Sequence, residues 1–587
     1  MYEDIQYDLT RISYGRRGAF YYLGAWKEED QERVYACALL SALDTAAPGR
    51  QARCGKLFPV VLQRNGEEIP YRATATPLCV TLDYEGGSAR LCLQKGDILR
   101  IEASGVDVFL APPLAFHEIA KTRNDGSWEV VMGPLPKLLF CPVKGTMEVT
   151  SGFDVIKSTP KETSFLFHPD ETGRVDLAVH LYLSNAFRMR EYPSFDNCIK
   201  EIEEEFAEYM KTVPVLPAEY ESSRVLAAYL VWSHIIPIDG SDIIYMNKGI
   251  HRCTSNWQQC YHAMGQYRNP EFAWKLLLSM FYYQDEYGEL PDTINDSVRS
   301  FSGTKPPLHG VALAFLSQYT DFSFVPQKER AFLYEGLARL VYWWLSYRDT
   351  DRDGIAQYDA ADEAGWDDCS LFRQGVPAES PDLATYLILS MEQLAVLAGE
   401  LGRFYEERMW KERAEEMLEK MKGFFWNGER FTSRLNETHE WVKCESLASF
   451  LPLLLGKRLP EEMIRKMAEA LSEEGAWLTP YGLAGERLSS DHYREVGWLC
   501  GPVLAPVQLL ICLGLRECGE EELARKIARR YCDALIRSGF PMIMNAKTGE
   551  DVSEGRWSTR YPNRMSWTAV SFLVLGSLFL QDSFEGE

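Results

Sequence analysis

Near residue 190 the spacing of apolar residues changes from two to between three and four, and this change divides the chain into two kinds of structure. From Met1 to about Asn185, runs such as LFPVVLQRNGEEIPY, LCVTLDYEGG and VDLAVHLYL alternate with turn signals, of which Asn65-Gly66 and Gly86-Gly87 are the clearest hairpin marks. Residues 1–190 are therefore expected to form a β-sandwich of roughly a dozen strands or fewer. Between Pro193 and Pro214, Ile199, Ile202, Phe206 and Met210 recur at helical spacing, which predicts a linker helix over 191–214. Beyond it the pattern is helical throughout. Segments near 218–235, 254–266, 270–285, 306–319, 327–347, 382–402, 404–425, 441–455, 459–472, 502–516, 519–538 and 564–580 make about twelve helices. Twelve helices are six hairpins, so an (α/α)6 barrel is expected over 215–587, with inner helices apolar nearly all round and outer ones amphipathic. The run AFLYEGLARLVYWWLSY fits the inner description. The stripe Trp410, Ala414, Met417 and Met421, opposed by Glu406, Glu407, Glu415 and Glu416, fits the outer one. An open solenoid would need a fixed short repeat, and the chain has none.

With 587 residues the chain exceeds one ordinary core. A formal net charge of -23 argues against nucleic acid or an anionic membrane surface as partner and suits neutral ligands. The 14 cysteines are scattered without a CxxC pair, which reads as reduced, buried thiols in a cytoplasm. The stretch MYEDIQYDLTRISYG shows no leader pattern, and the apolar run from Met565 to Leu580 is shorter than the roughly 20 residues that span a bilayer. No membrane segment is expected. The 9 histidines never fall into a metal-ligand spacing, and no G-x-S-x-G or phosphate-binding glycine loop is present, so no cofactor is expected.

Chemistry concentrates in YRDTDRDGIAQYDAADEAGWDDCSLF, from Tyr347 to Phe372. Carboxylates bind hydroxyls and move protons, while aromatic faces cover the apolar side of a sugar ring. This stretch interleaves the two. Asp349-x-Asp351-x-Asp353-Gly354 also reproduces the first half of an EF-hand calcium loop, although its twelfth position is Ala360. The competing readings are a calcium site on Asp349, Asp351 and Asp353, or a turn held by its own backbone bonds.

The ordered set Arg348, Asp349, Asp351, Asp353, Gly354, Ile355, Tyr358, Ala364, Gly365, Trp366, Asp367 and Asp368 resembles the general-acid loop of glycoside hydrolase family 63 and its relatives, the mannosyl-oligosaccharide glucosidase, mannosylglycerate hydrolase and trehalase-like group. Similarity extends over most of 215–580, through TSNWQQCYHAMGQYRNPEFAWKLLLSMFYYQDEYGELPD, TKPPLHGVAL and SPDLATYLILSMEQLAVLAGELGR. The resemblance implies a six-hairpin glycosidase acting on a small α-linked glucoside or related oligosaccharide, with Asp367 as proton donor. It further implies sugar contacts from Trp257, Gln258, Lys305, Tyr358, Glu363, Trp366, Asp368, Asp382 and Trp498. In two places the chain departs from the family. Trp257-Gln258 replaces a Trp-Asp pair, and Trp498-Leu499-Cys500-Gly501-Pro502 lacks the arginine of Tyr-Trp-Arg-Gly-Pro.

A third departure concerns the general base. Met542, in GFPMIMNAKTGEDVSEGRW, occupies the position of the family's Glu, and a thioether cannot activate water. Inverting hydrolysis needs a second carboxylate about 6.5–9.5 Å from the acid. Glu495 and Glu554 are the candidates. Two other readings remain open: a phosphorylase whose phosphate is bound by Lys547, Arg556, Arg560 and Arg564, and a sugar-binding protein without catalysis.

Overall fold

The computed structural model describes residues 2–28, 31–43, 55–133, 136–249, 251–553 and 563–581. Two eight-stranded antiparallel sheets precede the first long helix. One runs in the order 14–15, 21–28, 31–38, 56–64, 107–110, 164–168 and 146–150, with 67–68 paired onto 56–64. The other runs 119–122, 128–131, 137–144, 174–182, 98–104, 87–94, 80–84 and 72–75. The strands outnumber the dozen expected because several are too short to show alternation; Glu67–Glu68, for instance, is exposed at both positions. Inward-facing rings join the sheets, with Phe140 of the second stacked on Phe165 of the first at 4.0 Å and 5.5 Å from Phe58. The strand Arg174–Tyr182 is buried from Val175 to Leu181 and reads as a continuous apolar run because both of its faces are covered. On the far face, Ile98, Leu139, Cys141, Ala178 and Ala186 cluster against Met189 and Tyr192.

Helix α1 (Phe195–Met210) fills the stretch expected for the linker, starts at a Ser194 cap that accepts from the Asn197 N–H, and buries Phe195, Cys198, Ile202, Phe206, Tyr209 and Met210. Next come α2 (Glu221–Ser233), α3 (Asn256–Gly265), α4 (Pro270–Ser279), α5 (His309–Leu316), α6 (Gln327–Tyr347), α7 (Ala361–Ala364) and α8 (Pro381–Glu400). They are followed by α9 (Phe404–Phe425), α10 (Glu461–Ser472), α11 (Ala505–Cys518), α12 (Glu521–Ser538) and α13 (Ser566–Phe579). The helix expected over 441–455 is instead a 3-10 segment, Leu447–Arg458, broken by Pro452 and by Gly456 at φ 59°, ψ -139°.

Six segments touch in a cycle: α3 packs on α5, α5 on α8, α8 on Leu447–Arg458, that segment on α11, α11 on α13, and α13 on α3 again. Helices α8, α11 and α13 are buried nearly all round over their first turns, whereas α9 and α10 bury a single stripe. Contrary to the inner role expected for it, α6 also buries one face only and leaves Tyr342 and Tyr347 exposed, since its aromatic residues lie on more than one side. Among the described residues, no helix is long and apolar enough to cross a membrane.

Candidate active site

The acidic stretch begins where α6 ends. The Asp349 carboxylate accepts from the Gly354 N–H at 3.0 Å, Asp353 from the Ile355 N–H at 2.7 Å, and Asp351 from the Asp353 N–H at 3.3 Å. The turn is therefore folded by its own side chains. Gln357–Tyr358 then pairs with Ala378–Glu379. The Tyr358 hydroxyl donates to Asp382 at 3.0 Å, and Ser380 donates to the other Asp382 oxygen. Burial pushes the Asp382 carboxyl up to about 6, against these two hydrogen bonds. Glu363 accepts from Arg348 at 2.6 Å and from the Asp359 N–H at 2.7 Å, closing the base of α7.

Past α7 the chain turns through Gly365, at φ 70°, against which Trp257 is so close that a Cβ would lie 2.7 Å from its ring. Trp366 is buried, and the next two carboxylates diverge. Asp368 turns back to accept from the Trp498 and Leu499 N–H groups, each at 2.7 Å, and from the Cys500 thiol at 3.3 Å. Asp367 reaches solvent but is walled by protein on its other sides. That loss of hydration, followed by the negative charge of Asp362, pushes its carboxyl up to about 6, while the Lys305 ammonium pulls it down. A carboxyl that meets solvent and still holds its proton near pH 6 can donate to a leaving group.

The structure brings Trp257, Trp498, Trp366 and Asp367 to this turn. Trp257 and Trp498 both pack on Trp567, at 5.6 and 5.7 Å, and the Trp498 indole donates to the Gly365 carbonyl at 3.2 Å. All four indoles are buried, so they frame the turn rather than lie open. Gln258 accepts from the Ser255 N–H at 2.9 Å in the cap of α3. The Lys305 ammonium binds Asp362 through its carboxylate at 2.7 Å and its carbonyl at 2.6 Å, and Asp292 at 3.0 Å. Gln258, Lys305, Tyr358, Glu363, Asp368 and Asp382 are thus each committed to a partner within the protein. Sequence reasoning assigned no role to Asp362, Asp292 or Trp567, whose roles depend on contacts between distant segments.

Met542 is buried in the core, as its side chain dictates. Glu495 is exposed and pairs with Lys547 at 3.1 Å. It shares a loop with Trp498 and Leu499, whose amides bind Asp368. Glu554, Arg556 and Arg560 lie outside the described residues. Arg564 is buried and bound to Asp551 at 2.8 Å, the Gly539 carbonyl at 2.7 Å and Asn563 at 2.8 Å.

Behind the acid turn, Asp351, Asp353, Glu379 and His439 bring ligand atoms within 4.8 Å of one another. Two members come from the calcium-like motif, while Asp349 is outside the group. His439 Nε2 lies 2.9 Å from Asp351 and 3.8 Å from both Asp353 and Glu379. Glu379 is fully buried and, among the described residues, its Oε2 has no hydrogen-bond partner. Burial and the charges of Asp353 and Asp351 push its carboxyl up to about 8.

No curated protein sequence matches this chain significantly. A glycoside hydrolase family 63 mannosylglycerate hydrolase from Thermus thermophilus, solved with Tris and D-glycerate, is similar in fold at 18% identity and a TM-score of 0.51, over 59% of this chain and 98% of that one. A bacterial glucoamylase complexed with acarbose is similar at 9% identity and a TM-score of 0.61, over 96% of this chain and 93% of that one. Residues 252–568, more than half of the chain, match the family model of the mannosylglycerate hydrolase MGH1-like glycoside hydrolase domain, and they contain the turn that carries Asp367. The protein is a glycoside hydrolase and belongs to this MGH1-like family, among the relatives of family 63.

Proposed function

We propose that this protein hydrolyses a small α-linked glucoside or related oligosaccharide with inversion at the anomeric carbon, Asp367 acting as general acid. The observation that carries the reading is the position of Asp367, alone among the carboxylates of its turn in meeting solvent with a carboxyl pushed up to about 6. In the first half of the reaction Asp367 gives its proton to the glycosidic oxygen as the bond to the anomeric carbon breaks. A second carboxylate must take a proton from the attacking water on the opposite face. Glu495 is the base in this reading, because its loop is bound to the acid turn through Asp368. Phosphorolysis is the weaker reading: of its cations, Lys547 is paired with Glu495, and Arg564 is enclosed by Asp551, Asn563 and the Gly539 carbonyl.

The cycle of six inner contacts supports an (α/α)6 barrel, and the Phe140–Phe165 stack supports a sandwich of the two sheets. Thirteen described cysteines are all unpaired, which favours a reducing cytoplasm. Asp351, Asp353, Glu379 and His439 would hold one divalent cation in a structural role, since a cation offers the buried Glu379 oxygen the partner it lacks. The imidazole nitrogen suits manganese or zinc better than all-oxygen calcium.

The test follows the anomer released, by proton NMR, for wild type and Glu495→Gln. Inversion, with a loss of about a hundredfold in the variant that azide partly restores, is expected. Retention of configuration would overturn the mechanism. Normal hydrolysis by the variant would transfer the base to Glu554, and acceleration of the wild type by inorganic phosphate would establish phosphorolysis.

A further inference from the structure

We propose that Lys305 is the positioning residue of the general acid: it fixes the turn that launches Asp367 and sets the charge beside it, and it does not bind sugar. The inference rests on Asp367 being the acid. An ammonium has three hydrogens to donate. Two of those of Lys305 go to the Asp362 carbonyl at 2.6 Å and the Asp362 carboxylate at 2.7 Å, the ammonium also forms an ion pair with Asp292 at 3.0 Å, and the side chain is 10% exposed. A sugar hydroxyl reaching this enclosed ammonium would compete with Asp292 for it.

Where the ammonium sits explains what it does. The Asp362 carbonyl also accepts the Gly365 N–H at 3.1 Å, so Lys305 and Gly365 meet on one oxygen, five residues before Asp367. From the other side, Trp257 closes on Gly365 at the distance that only a glycine permits. The two supports are joined, because Asn256, next to Trp257, donates to the Lys305 carbonyl at 3.2 Å. Asp292 is anchored in turn by its N–H to the Ser300 carbonyl at 2.8 Å. Lys305 therefore ties three separate segments to the turn that presents Asp367.

The same cluster adjusts the proton affinity of the acid. The charges that face Asp367 are Asp362 from α7, Lys305 from the segment before α5, and Asp368 beside it in sequence. One ammonium between two carboxylates leaves a net negative charge. A cation next to a general acid would ordinarily make it lose its proton too early; here Asp292 and Asp362 occupy that cation. Removing the ammonium should raise the affinity of Asp367 for its proton, and removing the Asp362 carboxylate should lower it.

The experiment compares pH profiles of kcat/KM for wild type, Lys305→Met, Lys305→Arg and Asp362→Asn, alongside carbon-13 NMR titration of the Asp367 carboxyl, assigned by its loss in Asp367→Asn. The basic limb should move up by about 0.5–1 pH unit in Lys305→Met and down in Asp362→Asn, with Lys305→Arg close to wild type. The carboxyl titration should move in the same directions. Rate losses without opposed movement of the carboxyl titration would overturn the proposal, leaving Lys305 a merely structural residue. If the carboxyl moves as expected while the pH profile does not follow, Lys305 tunes Asp367 but Asp367 is not the acid. Full activity in Lys305→Met with a raised KM alone would return Lys305 to substrate binding.

Discussion

Asp367 and Asp368 are adjacent and chemically alike, and the fold gives them opposite fates. Asp368 spends both oxygens on the 498–500 loop, while Asp367 keeps a solvent-facing carboxyl whose loss of hydration holds the proton. The first prediction follows from that difference. Asp367→Asn should lose about two to four orders of magnitude in kcat/KM on natural glycosides, with its circular dichroism unchanged. Activity on a glycosyl fluoride, whose leaving group needs no proton, should survive in part. The sign of the pH dependence is fixed as well. In the proposed role Asp367 works only when protonated, so wild-type kcat/KM should fall roughly tenfold per unit above about pH 6. A profile rising through that range would remove Asp367 from the role. The sequence marks this residue because its turn is a local arrangement, with Gly365, Trp366 and the carboxylates consecutive in the chain. It does not reveal that Lys305, Asp382 or Glu363 would be consumed by internal partners, because a charged side chain reads the same whether it faces a ligand or a neighbour.

At the level of elements, the acid turn is built from three pieces of chain that only the fold assembles. The strand Gln357–Tyr358 pairs with Ala378–Glu379, which pairs with Arg434–Leu435. This small sheet places Glu379 and His439 beside Asp351 and Asp353. Eleven helices lie where the apolar period puts them, because that period reports directly which side of a helix is buried. The twelfth fails at Pro452 and Gly456, and α6 looks inner by composition although its position in the fold makes it one-sided. The His439–Glu379 pairing has no signature in spacing, since it joins residues 60 apart by number. A cation bound there should stabilise the protein by about 2.7 kcal/mol at a hundred times its Kd. Chelator-treated protein titrated with manganese, zinc or calcium in a thermal melt should show that gain, and Glu379→Gln should abolish it. Identical melts with and without each ion would leave the four groups as an internal hydrogen-bonded cluster.

Across the whole molecule, the sheets and helices are joined by buried charge as well as by apolar packing. Arg100, fully buried in the strand Ile98–Ser104, donates from one nitrogen to both oxygens of Asp176, at 2.7 and 2.8 Å, on the neighbouring strand. Its other terminal nitrogen donates to Gln94 at 2.9 Å and to the Pro193 carbonyl at 3.0 Å, where the chain leaves the sheet for α1. One guanidinium thus binds the sheet to the segment that leads into α1. Arg100→Met would keep the apolar bulk and leave the Asp176 carboxylate buried without its cation, a change that typically costs about 3–5 kcal/mol. Burial raises the Asp176 carboxyl and Arg100 opposes that rise, so in the variant the carboxyl should climb further. A carboxyl whose folded pKa exceeds its unfolded value binds its proton more tightly in the native state, so stability is lost as pH rises between the two values. The deficit of Arg100→Met relative to wild type should therefore be smaller near pH 5 than near pH 8. Urea denaturation at the two pH values measures it. Equal deficits at both would mean that Asp176 stays ionised without Arg100, and that the pair contributes through packing rather than charge.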